Sequence, residues 1–342
     1  MKIIDLRSDT VTKPSKAMLD AMIDAQVGDD VFKEDPTTIE LENYTANLFH
    51  KEAGLFCPSG TMTNQIAIKV HTQPGDEVIC DVNSHIYNYE GGGISFNSGV
   101  QAKLIIGNEG RLSPQLIEPA INGDFDWLTK TTLVSLENTV NRAGGSYYTV
   151  NQIKPITDLC KQHNLKLHLD GARIFNALIE SKDTTKQTGE CFDSISICLS
   201  KGLGAPVGSI LLGDKEFIKK ARRIRKVFGG GMRQSGILAA AGLFALKNNV
   251  TRLKEDHIRA KKLENELLKL NYVESVLPVY TNIVIFNLKA DIISGNIFEN
   301  KLAEHNIKIS AFGKNTIRMV THLDFDDEML NKTIKVLNQI TI

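Results

Sequence analysis

The stretch LKLHLDGAR at residues 165–173 carries the pattern that decides the fold of this 342-residue chain. An alternating apolar segment, typical of a β-strand, ends in the carboxylate of Asp170 and is followed by small residues. Open α/β sheets bind their ligands at the carboxyl ends of their strands. Asp170 is therefore either a ligand-binding residue or a strand-end carboxylate paired with Arg173, since an unpaired buried charge is costly.

Short apolar segments of the same kind recur on both sides of this stretch and alternate with segments of helical period. This alternation predicts an α/β fold with a mostly parallel sheet and helices on both of its faces. Only the loop at residues 200–208 separates the last two strands, which predicts one antiparallel pair. The predicted strands are Leu55–Cys57, Glu77–Asp81, Lys103–Ile106, Thr132–Leu136, Lys166–Leu169, Ser194–Leu199 and Ser209–Leu212.

The pattern changes after about residue 248. A charged amphipathic helix is predicted at Thr251–Leu270, and short strands and a closing helix at Glu328–Gln339 follow it. The chain is also longer than one hydrophobic core usually supports. We therefore expect an N-terminal arm and a large domain over residues 1–248, and a small α+β domain over residues 249–342.

The balance of charge argues against polyanionic partners. The chain has 40 Lys and Arg residues and 40 Asp and Glu residues, so its formal net charge is zero. A dedicated nucleic-acid or membrane-surface binder normally carries a basic excess. The basic run Lys215–Lys226 has apolar residues at helical spacing, which favours a solvated helix face.

Neither a targeting segment nor a metal-binding cysteine pattern is visible in the sequence. The N-terminal sequence MKIIDLRSDTV has charged residues among its apolar ones, which is not typical of a signal peptide. The longest apolar stretch, Ile237–Leu246, is too short to cross a membrane. The five cysteines form no C-x-x-C pair, so we expect neither a zinc site nor disulfides. We therefore predict a cytoplasmic protein with no metal.

Two further segments after predicted strands could carry chemistry. Ser59-Gly60-Thr61 lies where a helix begins, and free N–H groups at a helix N-terminus suit a phosphate. The same pattern is also typical of an ordinary helix cap. Lys201 follows an apolar strand in a glycine-rich loop, where a desolvated lysine becomes an amine nucleophile. The alternative is a surface lysine in a turn.

These segments together predict a cofactor. A phosphate site, an amine that forms a Schiff base and a carboxylate that keeps a pyridine nitrogen protonated are the requirements of pyridoxal 5′-phosphate, PLP. The segment 59–61, Lys201 and Asp170 supply them in turn. A nicotinamide dinucleotide fits less well, because the glycines at 202, 204 and 208 have the wrong spacing and a strand follows them.

With these motifs in place, the chain resembles the low-specificity and allo-threonine aldolases of the β-eliminating lyase family. These enzymes have the aspartate-aminotransferase-like fold of PLP-dependent transferases, fold type I. The resemblance runs from LRSDTVT at residues 6–12 to TIRMVTH at 316–322. The motifs between them are VGDDV at 27–31, PSGTM at 58–62, SHIY at 84–87, LHLDGAR at 167–173, LSKGLGAPVG at 199–208 and GGGMRQ at 229–234.

The resemblance implies roles for residues around the cofactor. Lys201 would form the Schiff base with PLP, and Asp170 would hold the pyridine nitrogen. His85 would stack on the ring and is the candidate base for the β-hydroxyl. Gly60 and Thr61, with Ser59 before them, would bind the phosphate. Arg233 would reach the phosphate of a neighbouring subunit.

The resemblance also implies a substrate site. Arg173 would contact the cofactor's O3′ and the substrate carboxylate, and Ser8 and Arg318 would complete the carboxylate site. Lys226 would lie near it. A bidentate arginine fixes a carboxylate in one plane, which aligns the bond to be broken.

The implied reaction is the cleavage of a β-hydroxy-α-amino acid to glycine and an aldehyde. L-threonine, L-allo-threonine or a bulkier analogue would be the substrate, and the enzyme would be a homodimer or homotetramer with active sites at the dimer interface. The main alternative is a PLP-dependent β-eliminating lyase acting on another amino acid. A PLP-binding protein without turnover is disfavoured, because Lys201, Asp170 and the carboxylate site are all present.

Two positions differ from the family pattern. Val140 stands where the family usually has a histidine near the β-hydroxyl, and Phe32 stands where it has a tyrosine. Neither side chain exchanges a proton or forms a hydrogen bond. From these two changes the sequence predicts a more apolar β-side of the pocket, and so a bulkier β-substituent or weak threo/erythro discrimination.

Overall fold

The computed structural model describes residues 3–340. In chain order its strands are β1 Ile4–Asp5, β2 Ala53–Cys57, β3 Asp76–Asp81, β4 Gln101–Ile105, β5 Lys130–Glu137, β6 Lys166–Gly171, β7 Ser194–Cys198, β8 Ser209–Gly213, β9 Val273–Val276, β10 Ile283–Leu288, β11 Ile307–Lys308, β12 Ser310–Ala311 and β13 Thr316–Val320. Its α-helices are α1 Lys16–Ile23, α2 Pro36–Leu48, α3 Gly60–His71, α4 His85–Asn88, α5 Gly93–Ser98, α6 Pro114–Ile117, α7 Val150–Gln162, α8 Ile174–Ser181, α9 Thr185–Cys191, α10 Lys215–Val227, α11 Gly236–Asn248, α12 Leu253–Leu267, α13 Gly295–Glu304 and α14 Asp327–Gln339.

A seven-stranded sheet forms the centre of the larger part of the molecule, in the order β2-β8-β7-β6-β5-β3-β4. The strands from β7 to β4 pair in parallel, whereas β8 is antiparallel to both of its neighbours. The predicted mostly parallel sheet and the predicted antiparallel pair are confirmed. The strand β2 points the same way as the parallel strands, because two antiparallel pairings restore its direction. Six strands, β2 to β7, therefore end at the same edge of the sheet.

The inner strands β7 and β8 are buried on both faces, which explains their largely apolar sequences. The largest hydrophobic cluster joins residues of β5, β6 and β7 to the helices that cover them. Side-chain caps fix where several of these helices begin. The Ser59 hydroxyl accepts a hydrogen bond from Met62 N at 3.1 Å before α3, and Asp214 accepts one from Phe217 N at 2.7 Å before α10.

A second, four-stranded antiparallel sheet has the order β12-β13-β10-β9 and forms a separate small unit with α12, α13 and α14. The N-terminal strand β1 pairs in parallel with β11, and Ile4 and Leu6 are buried in the hydrophobic cluster of this unit. The predicted boundary between residues 248 and 249 falls between α11 and α12 and stays a prediction. Among residues 3–340, none of the helices has the length and apolar character needed to span a membrane.

Candidate active site

The common edge of the large sheet gathers the candidate residues. Ser59 follows β2, His85 follows β3, and Lys201 follows β7 by three residues. The strand register places Glu137, at the end of β5, beside Asp170 on β6. Residues that are far apart in sequence therefore meet in one cleft, because parallel strands present their carboxyl ends together.

Asp170 is a buried carboxylate held by two hydrogen bonds. Its Oδ1 accepts from Ala172 N at 3.1 Å, and its Oδ2 accepts from Asn64 Nδ2 at 2.9 Å. Arg173 does not pair with it, so the sequence alternative of a local ion pair between these two residues is wrong. The same Asn64 Nδ2 donates to Glu90 Oε1 at 2.9 Å. The Asn64 amide thus holds two carboxylates with its two N–H groups.

A chain of buried hydrogen bonds continues behind Asn64. Its Oδ1 lies 3.2 Å from His168 Nε2, His168 Nδ1 lies 2.8 Å from Ser194 Oγ, and Ser194 Oγ lies 2.8 Å from His71 Nε2. Burial lowers the pKa of His168 to about 3 and that of His71 to about 4, so both are neutral near pH 7. Because Asn64 Oδ1 only accepts, His168 Nε2 carries the hydrogen and Ser194 donates to Nδ1. Every donor in the chain therefore points towards Asp170.

His85 lies beside this carboxylate in a second acidic arrangement. Its Nδ1 is 3.1 Å from Glu90 Oε1, and ligand-type atoms of His85, Glu90 and Asp170 all lie within 4.8 Å of one another. Burial alone would lower the pKa of His85, but the hydrogen bond to Glu90 and the charge of Asp170 outweigh it and raise that pKa. His85 N also donates to Glu137 Oε2 at 2.7 Å. Burial and the Asp170 charge raise the pKa of Glu137 to about 7.

Lys201 lies at the cleft with its amine unused. Its backbone carbonyl accepts from Thr12 Oγ1 at 3.1 Å and from Gly204 N at 2.8 Å, which fixes the loop. Across residues 3–340, its Nζ forms neither a hydrogen bond nor an ion pair. The positive charge of Lys201 lies close enough to act on His85 and on Asp9. It adds to the lowering of the Asp9 pKa and offsets a small part of the rise in the His85 pKa. The amine is therefore held in the cleft by its loop and is available to a ligand.

The N-terminus of α3 opens beside the same cleft. The Ser59 side chain caps Met62 N, which leaves the N–H groups of Gly60 and Thr61 without an intrahelical acceptor. The buried Ser209 Oγ has no partner among the described residues and lies 3.5 Å from the place of a Cβ on Gly60. Asn64 follows Gly60 by one helical turn, about 6 Å along the axis. The start of α3 is therefore about one helical turn away from Asn64, the residue that donates to Asp170.

Arg173 is bound by a residue that the sequence did not single out. Its Nε donates to Asp9 Oδ2 and its Nη2 donates to Asp9 Oδ1, both at 2.7 Å, and both residues are buried. Burial would raise the pKa of Asp9, but the charge and hydrogen bonds of Arg173 hold it well below its usual range. The Arg173 fork therefore faces the N-terminal arm, and only its Nη1 points towards Asn141, at 3.5 Å from Oδ1.

Arg318 comes from β13 of the small unit and reaches the same region. It donates from Nη1 to Asn141 Oδ1 at 2.9 Å and from Nη2 to the carbonyl oxygen of Arg7 at 3.0 Å. Its Nε is buried without a partner among the described residues. Burial, with the neighbouring charge of Arg173, lowers the pKa of Arg318 to about 10. Ser8 caps the short 3-10 helix at Asp9–Val11 by accepting from Thr10 N at 3.2 Å.

Two predicted basic residues lie outside this cluster within one chain. Arg233 is exposed and donates to Asp29 Oδ2 at 2.8 Å. Lys226 is exposed near the end of α10, beside Gly231. The glycine-rich segment between them has φ of +80° at Gly229, a conformation that favours glycine. The role of Arg233 towards a neighbouring subunit and that of Lys226 near the substrate site stay predictions.

The two residues that depart from the family pattern do not form the wall of the cleft. Val140 is buried and packs against Gly110 in an internal pocket that Ser84, Glu137 and Tyr148 also line. Phe32 is 68% exposed on a separate 3-10 turn. A more apolar β-side therefore does not follow from these residues within the chain. Tyr89, Arg142 and Phe312 instead form a cluster beside His85, whose ring centre lies 5.5 Å from that of Tyr89, and the sequence did not indicate them.

The residues present fit PLP. A carboxylate held by hydrogen bonds, an amine with no other partner and an open helix N-terminus with an unpartnered hydroxyl meet in one cleft. The sequence analysis did not identify Asn64 and Glu137 as residues of the cleft. Their positions could have indicated them, because Asn64 lies one helical turn after Gly60 and Glu137 is the last residue of a strand. Asp9 lies in the LRSDTVT motif, but its pairing with Arg173 could not be seen, because the two residues are 164 positions apart in sequence.

The chain is similar to known threonine aldolases over most of its length. A low-specificity L-threonine aldolase of Escherichia coli is 42% identical over 329 residues, which cover 96% of each chain. A probable low-specificity L-threonine aldolase of Arabidopsis thaliana is 45% identical over 297 residues, 85% of this chain and 83% of that protein. The solved structure of Leishmania major threonine aldolase superposes with a TM-score of 0.85 at 22% identity, covering 98% of this chain and 99% of that chain.

The fold and the cleft define a PLP-dependent enzyme of fold type I. The family model of the beta-eliminating lyases matches residues 5–291. The chain belongs to the beta-eliminating lyase family, and it is a PLP-dependent lyase. The predicted family, fold class and enzyme class are confirmed.

Proposed function

We propose that this enzyme cleaves the Cα–Cβ bond of a β-hydroxy-α-amino acid and releases glycine and an aldehyde, with L-threonine, L-allo-threonine or a bulkier analogue as substrate. The observation that carries the proposal is the meeting of Asp170, His85 and the unpartnered Lys201 amine at one edge of the sheet. The extended similarity to low-specificity L-threonine aldolases supports it.

The residues that would hold the cofactor follow from the cleft. Lys201 would form the Schiff base, Asp170 would hold the pyridine nitrogen, and His85 would stack on the ring. The start of α3, at Ser59-Gly60-Thr61, would bind the phosphate. When bound, PLP supplies a sink for the electrons of the broken bond.

The chain's own residues would orient the substrate. The unpartnered Nε of Arg318 and the Nη1 of Arg173 are the donors that remain for the α-carboxylate. Ser8 lies next to Arg7, whose carbonyl holds Arg318, so it belongs to the same wall. Fixing the carboxylate there limits rotation about the bonds at Cα, and this decides which bond is aligned for cleavage.

A proton must leave the β-hydroxyl as the bond breaks. His85 is the candidate base, directly or through a water molecule. Its Nδ1 faces Glu90, which leaves Nε2 for the substrate side. The elevated pKa of His85 means that cleavage requires deprotonation of this ring, so activity rises as the pH rises through that pKa.

Three further features belong to the proposal. The exposed Arg233 would act at a neighbouring subunit, in a homodimer or homotetramer with active sites at the dimer interface, and Lys226 would lie near the substrate site. The large domain would end at residue 248 and the small domain would begin at 249. The enzyme would act in the cytoplasm, in amino-acid metabolism.

The test is a substrate panel with identified products. Purified enzyme with PLP is given L-threonine, L-allo-threonine and phenylserine, and glycine, aldehyde, ammonia and keto acid are measured. We expect equimolar glycine and aldehyde. Ammonia with a keto acid would instead establish the β-eliminating reaction and overturn the proposal.

A variant tests the cofactor assignment separately. Lys201→Ala should lose the visible absorbance of the bound cofactor together with activity, whereas Lys335→Ala, on the exposed side of α14, should keep both. If Lys201→Ala retained the absorbance and the activity, the assigned lysine would be wrong. Gel filtration with light scattering checks the oligomer.

A further inference from the structure

A positive charge that the proposed reaction does not use lies in the cluster beside the candidate base His85. Arg142 donates from Nη1 to the Tyr89 hydroxyl at 2.5 Å, and its guanidinium carbon lies 4.4 Å from the centre of the Phe312 ring. The Tyr89 ring centre is 5.5 Å from that of His85. Arg142 therefore lies on the rim next to the candidate base.

The same guanidinium also adjoins the carboxylate site. The Phe312 ring that it covers is contacted by Arg318, whose guanidinium carbon lies 4.7 Å from the ring centre. Asn141, the residue before Arg142, accepts the hydrogen bond from Arg318. Arg142 thus spans the rim between His85 and Arg318. A substrate held at the α-carboxylate by Arg318, with its β-hydroxyl at His85, would extend its β-substituent towards this rim.

The charges around the rim do not balance. Among the side chains of residues 3–340, one carboxylate, Asp9, pairs with Arg173, and no carboxylate forms an ion pair with Arg142 or Arg318. Burial and the charge of Arg173 are the main causes that lower the pKa of Arg318, and the charge of Arg142 adds to them. The α-carboxylate of a substrate would supply one negative charge. One half-buried guanidinium would still lack a counter-charge.

We infer that Arg142, supported by Phe312 and Tyr89, is a specificity-determining residue that binds a carboxylate on the β-substituent of the substrate. The inference rests on the proposed function and names a substrate class for it, the β-hydroxy-α-amino dicarboxylic acids. A planar guanidinium stacked on an aromatic ring is preorganised for a carboxylate, since its fork is already fixed in one plane. The smallest such substrate is 3-hydroxyaspartate.

The reaction balances without an oxidant or reductant. The Cα–Cβ bond of 3-hydroxyaspartate breaks, the β-carbon becomes the aldehyde carbon of glyoxylate, and Cα becomes that of glycine. The β-hydroxyl loses one proton, and Cα gains one. Only the β-substituent differs from the cleavage of threonine, so the same site performs both reactions.

The test compares two substrates that differ in charge but hardly in size, 3-hydroxyaspartate and 3-hydroxyasparagine, each as both diastereomers. Glycine release by the holoenzyme gives kcat/KM for each. We expect the wild-type enzyme to have the higher kcat/KM for the acid. Arg142→Met should lower the ratio of the two kcat/KM values, acid over amide, at least about 10-fold, which corresponds to one charge-assisted hydrogen bond. Arg142→Lys should fall between them. Lys335→Met, which removes an exposed charge elsewhere, should leave the ratio as in wild type.

A binding measurement keeps the inference independent of turnover. L-aspartate and L-asparagine lack the β-hydroxyl and cannot undergo this cleavage, so calorimetry of each with the holoenzyme reports the same preference. A ratio that is unchanged in Arg142→Met, by kinetics and by calorimetry, would overturn the assigned role. Absence of glycine from every substrate, threonine included, would instead contradict the proposed reaction, and the calorimetric ratio would still decide the role of Arg142.

Discussion

The buried ion pair between Asp9 and Arg173 should dominate the stability of the connection between the N-terminal arm and the large sheet. Both side chains are almost inaccessible, at 0% and 5% exposure, and two hydrogen bonds of 2.7 Å join them. Asp9→Asn keeps the shape of the side chain but removes its charge. An uncompensated guanidinium then stays buried, and breaking a buried pair in this way costs about 3–5 kcal/mol.

The chain contains a matched control four residues earlier. Asp5 also forms a two-bond pair with an arginine, Arg7, at 2.9 and 2.5 Å, but the Arg7 side chain is 49% exposed. Exposed pairs of this kind contribute at most about 1 kcal/mol, because water and salt screen them. Asp5→Asn should therefore have a small effect. The two variants make the same chemical change in the same arm and differ in burial.

Denaturant unfolding of both variants, followed by circular dichroism with the cofactor concentration fixed, measures the difference. The free energy of unfolding of Asp9→Asn should fall by about 3–5 kcal/mol, and that of Asp5→Asn by about 1 kcal/mol or less. Equal losses in the two variants would refute the reasoning, because burial would then not set the strength of the pair.

The pH dependence of the Asp9→Asn effect has a definite sign. The folded pKa of Asp9 is depressed below its unfolded value of about 4. The stabilisation by the carboxylate is therefore fully present above that unfolded value and is lost as the pH falls towards the folded one. The difference in unfolding free energy between wild type and Asp9→Asn should be constant from pH 8 to pH 5 and should become smaller below about pH 4. A gap that narrows already between pH 8 and pH 6 would contradict this assignment.

Three other perturbations test the cleft. Glu90→Gln removes the charge beside His85, so the pKa of His85 should fall and the acidic limb of the pH profile of kcat should move to lower pH. The pKa of Glu137 is raised to about 7 in the folded protein, so the free energy of unfolding declines as the pH rises from the unfolded pKa of this group towards 7. Glu137→Gln should reduce this decline, and denaturant titration measures it. Asp170→Asn should lower kcat by at least about 100-fold in the glycine assay with native circular dichroism, because it loses the charge opposite the pyridine nitrogen.

The sequence predicted the central sheet well because its signal is local. Each of β2 to β8 is a short apolar segment, and the predicted segments differ from the observed strands by two residues at most. Asp170 and Lys201 were found for the same reason, since each follows such a segment. β1 and β9 were missed. β1, at Ile4–Asp5, is a two-residue strand, and it depends on pairing with β11 from the other end of the chain.

The side-chain partners in the cleft could not be predicted in the same way. Asp9 and Arg173 are each ordinary charged residues in the sequence, and only the folded arm brings them together. The substitution at Val140 suggested an apolar pocket, because the family pattern fixes which residue occupies the position but not where its side chain points. In the structure that side chain packs inward against Gly110, and Arg142, two residues on, lies at the rim. The polarity of the β-side therefore depends on the loop conformation.

The hydrogen-bond chain from His71 to Asp170 holds two acidic side chains of the cleft, Asp170 and Glu90, through the amide of Asn64. Asn64 gives one N–H to Asp170 and one to Glu90, and the neutral His168 behind it supplies a donor to the Asn64 oxygen. Because each donor points towards the carboxylates, the chain stabilises their negative charge. His85 and Lys201 lie close to the same carboxylates in the cleft. Reversing one link would leave two acceptors face to face. Burial keeps the imidazole of His168 neutral by lowering its pKa to about 3, so its Nδ1 stays free to accept from Ser194.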